Sequence, residues 1–276
     1  MHFTKYNGLG NDFIFLDGAE ALAVKDPAAL AVRLCNRRTG IGADGLILLL
    51  PSQTADIQMR IINSDGSEAE MCGNASRCVP LHLLSHGLTQ KKNIVIETLA
   101  GPIRTEVLDI AKGWVRVDMG VPQTVRGKIP MTGDPQAATV NVAVRIGSTE
   151  HVGTGVSMGN PHFVLRVENA QTAPVAELGP LIETSAAFPQ KTNVEFVKVL
   201  DSNTVRMRVW ERGAGITQAC GTGACATAVA CILNQWTGPR VQVKLDGGEL
   251  LIEWPDRKSI FMTGPAHRVF EGDILL

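Results

Sequence analysis

Residues 72–76 read Cys-Gly-Asn-Ala-Ser, and residues 220–224 read Cys-Gly-Thr-Gly-Ala. The same step, cysteine then glycine, thus occurs twice, 148 residues apart. Each copy opens a stretch rich in Ala, Leu, Val and Cys with little charge, which reads as a helix buried on nearly all sides. The surroundings repeat as well. Gly10-Asn11-Asp12-Phe13-Ile14 resembles Gly159-Asn160-Pro161-His162-Phe163, and Asn11 lies 61 residues before Cys72 while Asn160 lies 60 before Cys220. Gln58-Met59-Arg60-Ile61 echoes Arg206-Met207-Arg208-Val209. Nine positions before each cysteine stand Asn63 and Glu211, and 27 before stand Gly45 and Asn193. A register held over such a length predicts two halves related by duplication, meeting across a cleft.

Strand-like alternation fills the space between these landmarks. The runs 57–62, 114–119, 194–199, 205–210 and 241–245 read as strands with one buried face. Asp65-Gly66, Gly159-Asn160-Pro161 and Asp246-Gly247-Gly248 punctuate them as turns. Residues 27–38 carry Pro near the start and apolar spacing of three and four, which predicts a further helix. The expected fold is α+β: two pseudo-symmetric domains, each antiparallel β-structure wrapped round a central helix. The expected boundaries are 1–119 plus 266–276 for the lobe carrying Cys72 and 120–265 for the lobe carrying Cys220.

The bulk numbers narrow the function. Charged residues make up 19% of the 276 positions and the net charge is −1, so no basic footprint for nucleic acid or anionic lipid stands out. The apolar run around 46–50 is too short to span a bilayer. Met-His-Phe-Thr-Lys-Tyr-Asn-Gly at the start lacks an apolar signal core, which leads to the expectation of a cytoplasmic protein. There a disulfide framework is disfavoured, and none of the six cysteines stands in a Cys-x-x-Cys pair. Cys35, Cys78, Cys225 and Cys231 read as small buried hydrophobes. His82 and His86 have helical metal spacing but no acidic partner motif nearby, and read as surface or core residues.

Cys72 and Cys220 read differently. A helix start exposes unpaired N–H groups and the positive end of the helix dipole. It can lower a thiol pKa from about 8.5 to roughly 3.5–7.5 and can cradle a carboxylate. Two such units facing each other make an acid–base pair: one thiolate removes a proton from carbon and the opposite thiol returns one to the other face. That chemistry gives the motif a reason to occur twice.

At this point the chain resembles the diaminopimelate epimerases. The matching segments are N-G-L-G-N-D-F (7–13), G-I-G-A-D-G (40–45), N-S-D-G-S-E-A-E-M-C-G-N (63–74), S-M-G-N-P-H (157–162), E-R-G-A-G-I-T-Q-A-C-G-T-G-A (211–224) and M-T-G-P-A (262–266). The resemblance implies interconversion of LL- and meso-diaminopimelate, for lysine and peptidoglycan precursors, without pyridoxal phosphate or metal and usually as a homodimer. It implies Cys72 and Cys220 as the acid–base pair, with His162 and Glu211 also important for catalysis. It places Gly73, Asn74, Gly221 and Thr222 at the reacting end of the substrate. Asn11, Asn63, Asn160, Asn193, Glu211 and Arg212 would line the pocket. Arg212 suits a carboxylate gripped bidentately, while Glu211 suits an ammonium.

Two residues depart from the family's pattern. Ala75 stands where the family usually has glycine, and its methyl is expected to crowd the carboxylate cradle or to shift the helix start slightly. Pro80 would be interior to the first helix and is expected to kink or shorten it, at about 3 kcal/mol. Other readings stay open on the residues themselves: a two-cysteine racemase of the proline type, or a non-enzymatic thiol or metal-binding module. A proline-sized substrate would leave Glu211-Arg212 without a partner, and the cysteine spacing suits metal poorly.

Overall fold

The computed structural model describes residues 1–275. The chain divides into two compact units, one formed by Met1–Asp118 with the segment from Thr263 onward, the other by Met119–Met262. These junctions fall one and three residues before the boundaries expected from sequence.

The first unit begins with β1 (His2–Gly8), β2 (Asn11–Leu16), α1 (Gly18–Leu22), α2 (Pro27–Cys35), β3 (Gly45–Leu50) and β4 (Ile57–Asn63). It continues with β5 (Glu68–Ala69), α3 (Gly73–Ser85), β6 (Asn93–Thr98), β7 (Gly101–Asp109) and β8 (Trp114–Asp118). The second unit holds β9 (Val142–Ile146), β10 (Thr149–Ser157), β11 (Pro161–Arg166), α4 (Val175–Glu183), β12 (Asn193–Val199) and β13 (Thr204–Glu211). After these come β14 (Gly215–Ile216), α5 (Gly221–Leu233), β15 (Arg240–Leu245) and β16 (Gly248–Glu253). The chain then returns through β17 (Phe261–Pro265) to β18 (His267–Asp273), which pairs antiparallel with β1, His2 opposite Asp273.

The two units repeat one topology. β2 runs parallel to β3 with Phe13 beside Gly45, and β11 runs parallel to β12 with His162 beside Asn193. Antiparallel pairs β3–β4 and β12–β13 follow. Two-residue strands β5 and β14 then fold back on β4 and β13. Parallel joins β4–β6 and β13–β15 close each ladder before the hairpins β6–β7 and β15–β16. In each unit the ladder is therefore mainly antiparallel with two parallel joins, and it packs on one central helix. The 13-residue α3 packs on β1, β7, β8 and β18, and the equally long α5 packs on β10, β11, β12, β13, β15 and β16. Both are buried over nearly their whole length; α5 is almost all small and apolar, whereas α3 also buries Asn74, Ser76, Arg77 and His82.

Two local expectations need correction. The helix predicted over 27–38 starts as its sequence suggests, with Asp26 accepting from the Ala29 N–H at 3.0 Å and Pro27 in the first turn, but it ends at Cys35. Asn36 takes extended backbone and its side-chain oxygen accepts from the N–H groups of Arg38 and Thr39, so a local asparagine turn replaces the last helical turn. Pro80 does not shorten α3, which runs on to Ser85. The helix is held by burial on all sides, where packing outweighs the lost N–H bond. Ala75 is buried in the core cluster that also holds Tyr6, Phe13, Phe15 and Ile47.

Candidate active site

Each unit builds one half-site at the start of its central helix. Cys72 and Cys220 are the residues just before α3 and α5, with nearly the same extended backbone, φ −141° and ψ 114° against φ −128° and ψ 111°. A left-handed glycine precedes the key asparagine in both units: Gly10 (φ 94°) before Asn11 and Gly159 (φ 99°) before Asn160. Asn63 and Glu211 end matched strands and enter matched turns, in which their carbonyls accept from the N–H groups of Gly66 and Ala214.

In the first half-site Cys72 is partly buried and its carbonyl accepts from the Ser76 N–H and hydroxyl, both at 2.9 Å. Asn74 Nδ2 donates to Asn11 Oδ1 at 2.5 Å, and Asn11 Nδ2 donates to Asp44 Oδ2 at 3.1 Å. Asp44 is held in turn by Arg37 at 2.8 Å, and Arg37 also grips Asp12 with two bonds of 2.7 and 3.0 Å. Burial raises the Asp12 carboxyl, but the hydrogen bonds from Arg37 and Lys5 outweigh it and bring its pKa down to about 2. Asn63 Nδ2 donates to Ser67 Oγ at 2.9 Å within the Asn63–Ser67 turn.

The second half-site is drier. Cys220 is 5% exposed, and its sulfur accepts from the Gly223 N–H at 3.3 Å and lies 3.5 Å from Thr222 Oγ1. Asn160 Nδ2 donates to Thr222 Oγ1 at 3.4 Å, and Asn160 Oδ1 lies 3.0 Å from His162 Nε2. The other ring nitrogen of His162 lies 2.6 Å from Glu195 Oε1, and both side chains are fully buried. Glu211 accepts a short hydrogen bond from the Thr217 hydroxyl. Asn193 is buried and works on the backbone: Oδ1 accepts from the Arg212 N–H at 2.8 Å and Nδ2 donates to the Pro161 carbonyl at 3.0 Å. It thereby ties the Glu211-Arg212 corner to the start of β11. The exposed Arg212 guanidinium donates to the Gln190 carbonyl at 3.1 Å.

A thiol at a helix start is expected to ionise easily; at Cys220 the reverse holds. Burial pushes this thiol well above the ordinary range, and the Glu211 and Glu195 carboxyls push the same way. The Thr222 hydroxyl and the Gly223 N–H pull it back only in part. Burial likewise raises the Glu195 carboxyl against the pull of His162.

Sequence reading missed Glu195 and Asp44. The run 194–199 was expected to bury one face, yet residues 193–197 are all buried and Glu195 sits among them. A signal existed: 25 positions before Cys220 stands Glu195, and 25 before Cys72 stands Ile47, so the repeat exchanges an apolar residue for a carboxylate. His82 also has the acidic partner that its sequence neighbourhood lacked, since Asp17 lies 2.8 Å from its Nε2. Cys35, Cys78, Cys225 and Cys231 are buried cysteines, as their sequence surroundings suggest. Among the described residues no group of three or more His, Cys, Asp or Glu side chains could hold a metal ion, and no helix is long and apolar enough to cross a membrane.

The sequence profile of the diaminopimelate epimerases matches residues 3–125 and 154–269, which include both cysteine motifs. The chain belongs to the diaminopimelate epimerase family. It is 52% identical to the diaminopimelate epimerase of Pelotomaculum thermopropionicum, over 99% of this chain and 98% of that one. It is 48% identical to that of Methanococcus maripaludis, over 99% of each. An enzyme of this family is an isomerase of amino-acid biosynthesis. The fold extends further. A PhzF-family phenazine biosynthesis protein from Bacillus anthracis superposes with a TM-score of 0.71 at 18% identity, covering 100% of this chain and 99% of that one. A probable proline racemase from Agrobacterium radiobacter gives 0.66 at 18% identity, covering 100% and 93%.

Proposed function

We propose that the enzyme interconverts LL- and meso-diaminopimelate by a two-base route in which Cys72 and Cys220 are the bases. One sulfur, as thiolate, takes the Cα proton; the other, as thiol, gives its proton to the opposite face of the same carbon. The charges then stand exchanged, and the reverse reaction uses the same groups in swapped roles. The observation that carries this reading is the repeated placement of a cysteine just before a buried helix, in a chain belonging to this family.

The surrounding residues suit the roles assigned to them. Helix starts supply N–H donors for the carboxylate of the reacting end, at Gly73 and Asn74 in one unit and Gly221 and Thr222 in the other. Such donors stabilise the negative charge that develops as the Cα proton leaves. Asn74 Oδ1 is buried with no hydrogen-bond partner among the described residues, which leaves an acceptor for an ammonium. Asn11 and Asn63 in the first unit and Asn160 in the second are assigned to substrate binding. Glu211 and Arg212 receive the distal amino and carboxylate groups, held at their corner by Asn193. Glu211 also faces the Cys220 sulfur, so it influences proton transfer there. The route needs neither pyridoxal phosphate nor metal, since both proton transfers are assigned to sulfur. The enzyme is proposed to act as a cytoplasmic homodimer without a nucleic-acid partner.

Proton exchange tests this. Each isomer, incubated with the enzyme in deuterated buffer, is expected to gain deuterium at Cα and to convert to the other. Cys72→Ser and Cys220→Ser are each expected to lower interconversion at least about 10²-fold, the scale of a general acid–base group. Wild-type protein that exchanges neither isomer, or a serine variant with undiminished turnover, would overturn the proposal. Turnover of proline but not diaminopimelate would favour the proline-type alternative.

A further inference from the structure

The two units differ at one matched pair of positions in a way that packing does not ask for. Phe13 and Ile47 sit in the apolar core of the first unit, on β2 and β3. The repeat puts His162 and Glu195 at the same places on β11 and β12. Burying an ionisable pair forfeits hydration, and an apolar pair of similar volume often packs as well or better. Glu195 Oε2 is moreover buried without a hydrogen-bond partner among the described residues. The glycine at 223 fits around this carboxylate. A Cβ there would lie 2.9 Å from Glu195 Oε1 and 3.2 Å from Cys220 Sγ, whereas the matched position in the first unit is an alanine, Ala75, in the core cluster that also holds Ile47.

The hydrogen bonds of the second half-site form a chain from Glu195 through His162, Asn160 and Thr222 to Cys220. Its direction follows from proton positions. The 2.6 Å contact between Glu195 Oε1 and His162 Nδ1 holds one proton. Nε2 faces an oxygen, Asn160 Oδ1, so it carries another. Asn160 then points Nδ2 at Thr222 Oγ1, which accepts and has its own hydrogen free for the sulfur. If Nε2 lost its proton, Asn160 would turn its amide, its oxygen would take the Thr222 hydrogen, and Thr222 would offer sulfur only lone pairs. The first arrangement favours the thiolate and the second the thiol. The carboxyls of Glu195 from β12 and Glu211 from β13 face Cys220, and negative charge on either opposes its ionisation, that of Glu195 being balanced by the second proton of its pair with His162. The Thr222 hydrogen and the Gly223 N–H are the donors that work against them.

We infer that Glu195 is a positioning residue: through His162 it fixes the direction of this chain and so presents the Thr222 hydroxyl hydrogen to the Cys220 sulfur. The inference rests on the proposed role of Cys220, and it assigns a task to a buried carboxylate that never touches substrate. It also makes the half-sites unequal, since no counterpart of the His162–Glu195 pair occurs at Phe13 and Ile47.

Glu195→Gln keeps the shape and lets the amide either donate or accept, so the direction of the chain is no longer fixed. The expected result is a loss of about tenfold in kcat with little change in KM. The rise of kcat/KM with pH should move about one unit higher, a tenfold change in thiolate fraction. Thr222→Val breaks the last link and should give a similar shift, and the double variant should lose little more than either single one. An unchanged pH profile in Glu195→Gln, or losses that multiply in the double variant, would overturn the inference. Should Glu195→Gln fail to fold, nitrogen-15 NMR of histidine-labelled wild-type enzyme decides. His162 Nε2 must be protonated at pH values where the enzyme turns over, and a bare Nε2 there would refute the chain. Absence of Cα exchange by wild type would sink the proposed function, whereas the NMR result reads the inference alone.

Discussion

Gly223→Ala adds one methyl to the third position of α5 and sets two known effects against each other. Alanine in place of glycine in a helix is worth about 1 kcal/mol. Here, however, the new Cβ would stand 2.9 Å from Glu195 Oε1 and 3.2 Å from both Cβ and Sγ of Cys220. Ordinary contact needs about 0.5 Å more at the carboxylate. Glu195 is fully buried and held at 2.6 Å by His162, so it can yield only by straining that bond. Overpacking of this kind costs about 1–3 kcal/mol. The net expectation is a protein destabilised by about 0–2 kcal/mol but slowed by about tenfold, because half an ångström of misplacement reaches the sulfur. The reciprocal change, Ala75→Gly, should behave oppositely. It should cost about 2 kcal/mol in helix propensity and buried methyl, with turnover close to wild type. Urea denaturation gives the stabilities, and deuterium incorporation at Cα gives the rates. A Gly223→Ala enzyme that is about 1 kcal/mol more stable and fully active would show that no close contact constrains this glycine.

Three further outcomes are expected. Unfolded thiols lose their protons near pH 8.5, while burial pushes Cys78 and Cys231 up to about 12. Above about pH 8.5 the folded state therefore binds more protons than the unfolded one, and stability should fall by about 1.4 kcal/mol per pH unit for each thiol; equal denaturation midpoints at pH 8 and pH 10 would refute this. Pro80→Ala should raise stability by about 1 kcal/mol, the recovered helix propensity of about 3 exceeding the buried methylenes lost, and a lower melting midpoint would contradict it. Asp44→Asn removes the carboxylate that holds Asn11 Nδ2, so KM should rise about tenfold with kcat little changed, the scale of one charge-assisted hydrogen bond; a KM equal to wild type would show that Asn11 needs no such support.

The duplication was legible because the two helices carry a rare dipeptide in the same register, and because the Gly-Asn step at the entry to β2 and β11 serves a backbone need that few residues meet. Strands with alternating pattern were legible for the same reason: half-burial leaves a period of two in the sequence. What escaped was whatever depends on burial from both sides. Glu195 looks like the polar half of an alternating strand until a helix covers it, and the direction of the Cys220 shift depends on that cover. Asp44 was hidden differently. It lies 33 residues from Asn11, in a turn whose composition explains itself without any partner. The end of α2 was misjudged because Asn36 offers its own side chain to the next N–H groups, a local competition that apolar spacing does not register.

The pairing of β18 with β1 has a consequence for biosynthesis. The first unit is sewn from two separated stretches of chain, so translation of Met1–Asp118 leaves it lacking β18. The second unit lies within one unbroken stretch and is complete once Met262 has been made. The order of maturation on the ribosome should therefore invert the order of synthesis. The early-made lobe waits as an incomplete intermediate with an unpaired edge along β1, and ribosome-stalled chains lacking the last dozen residues should recruit chaperones there.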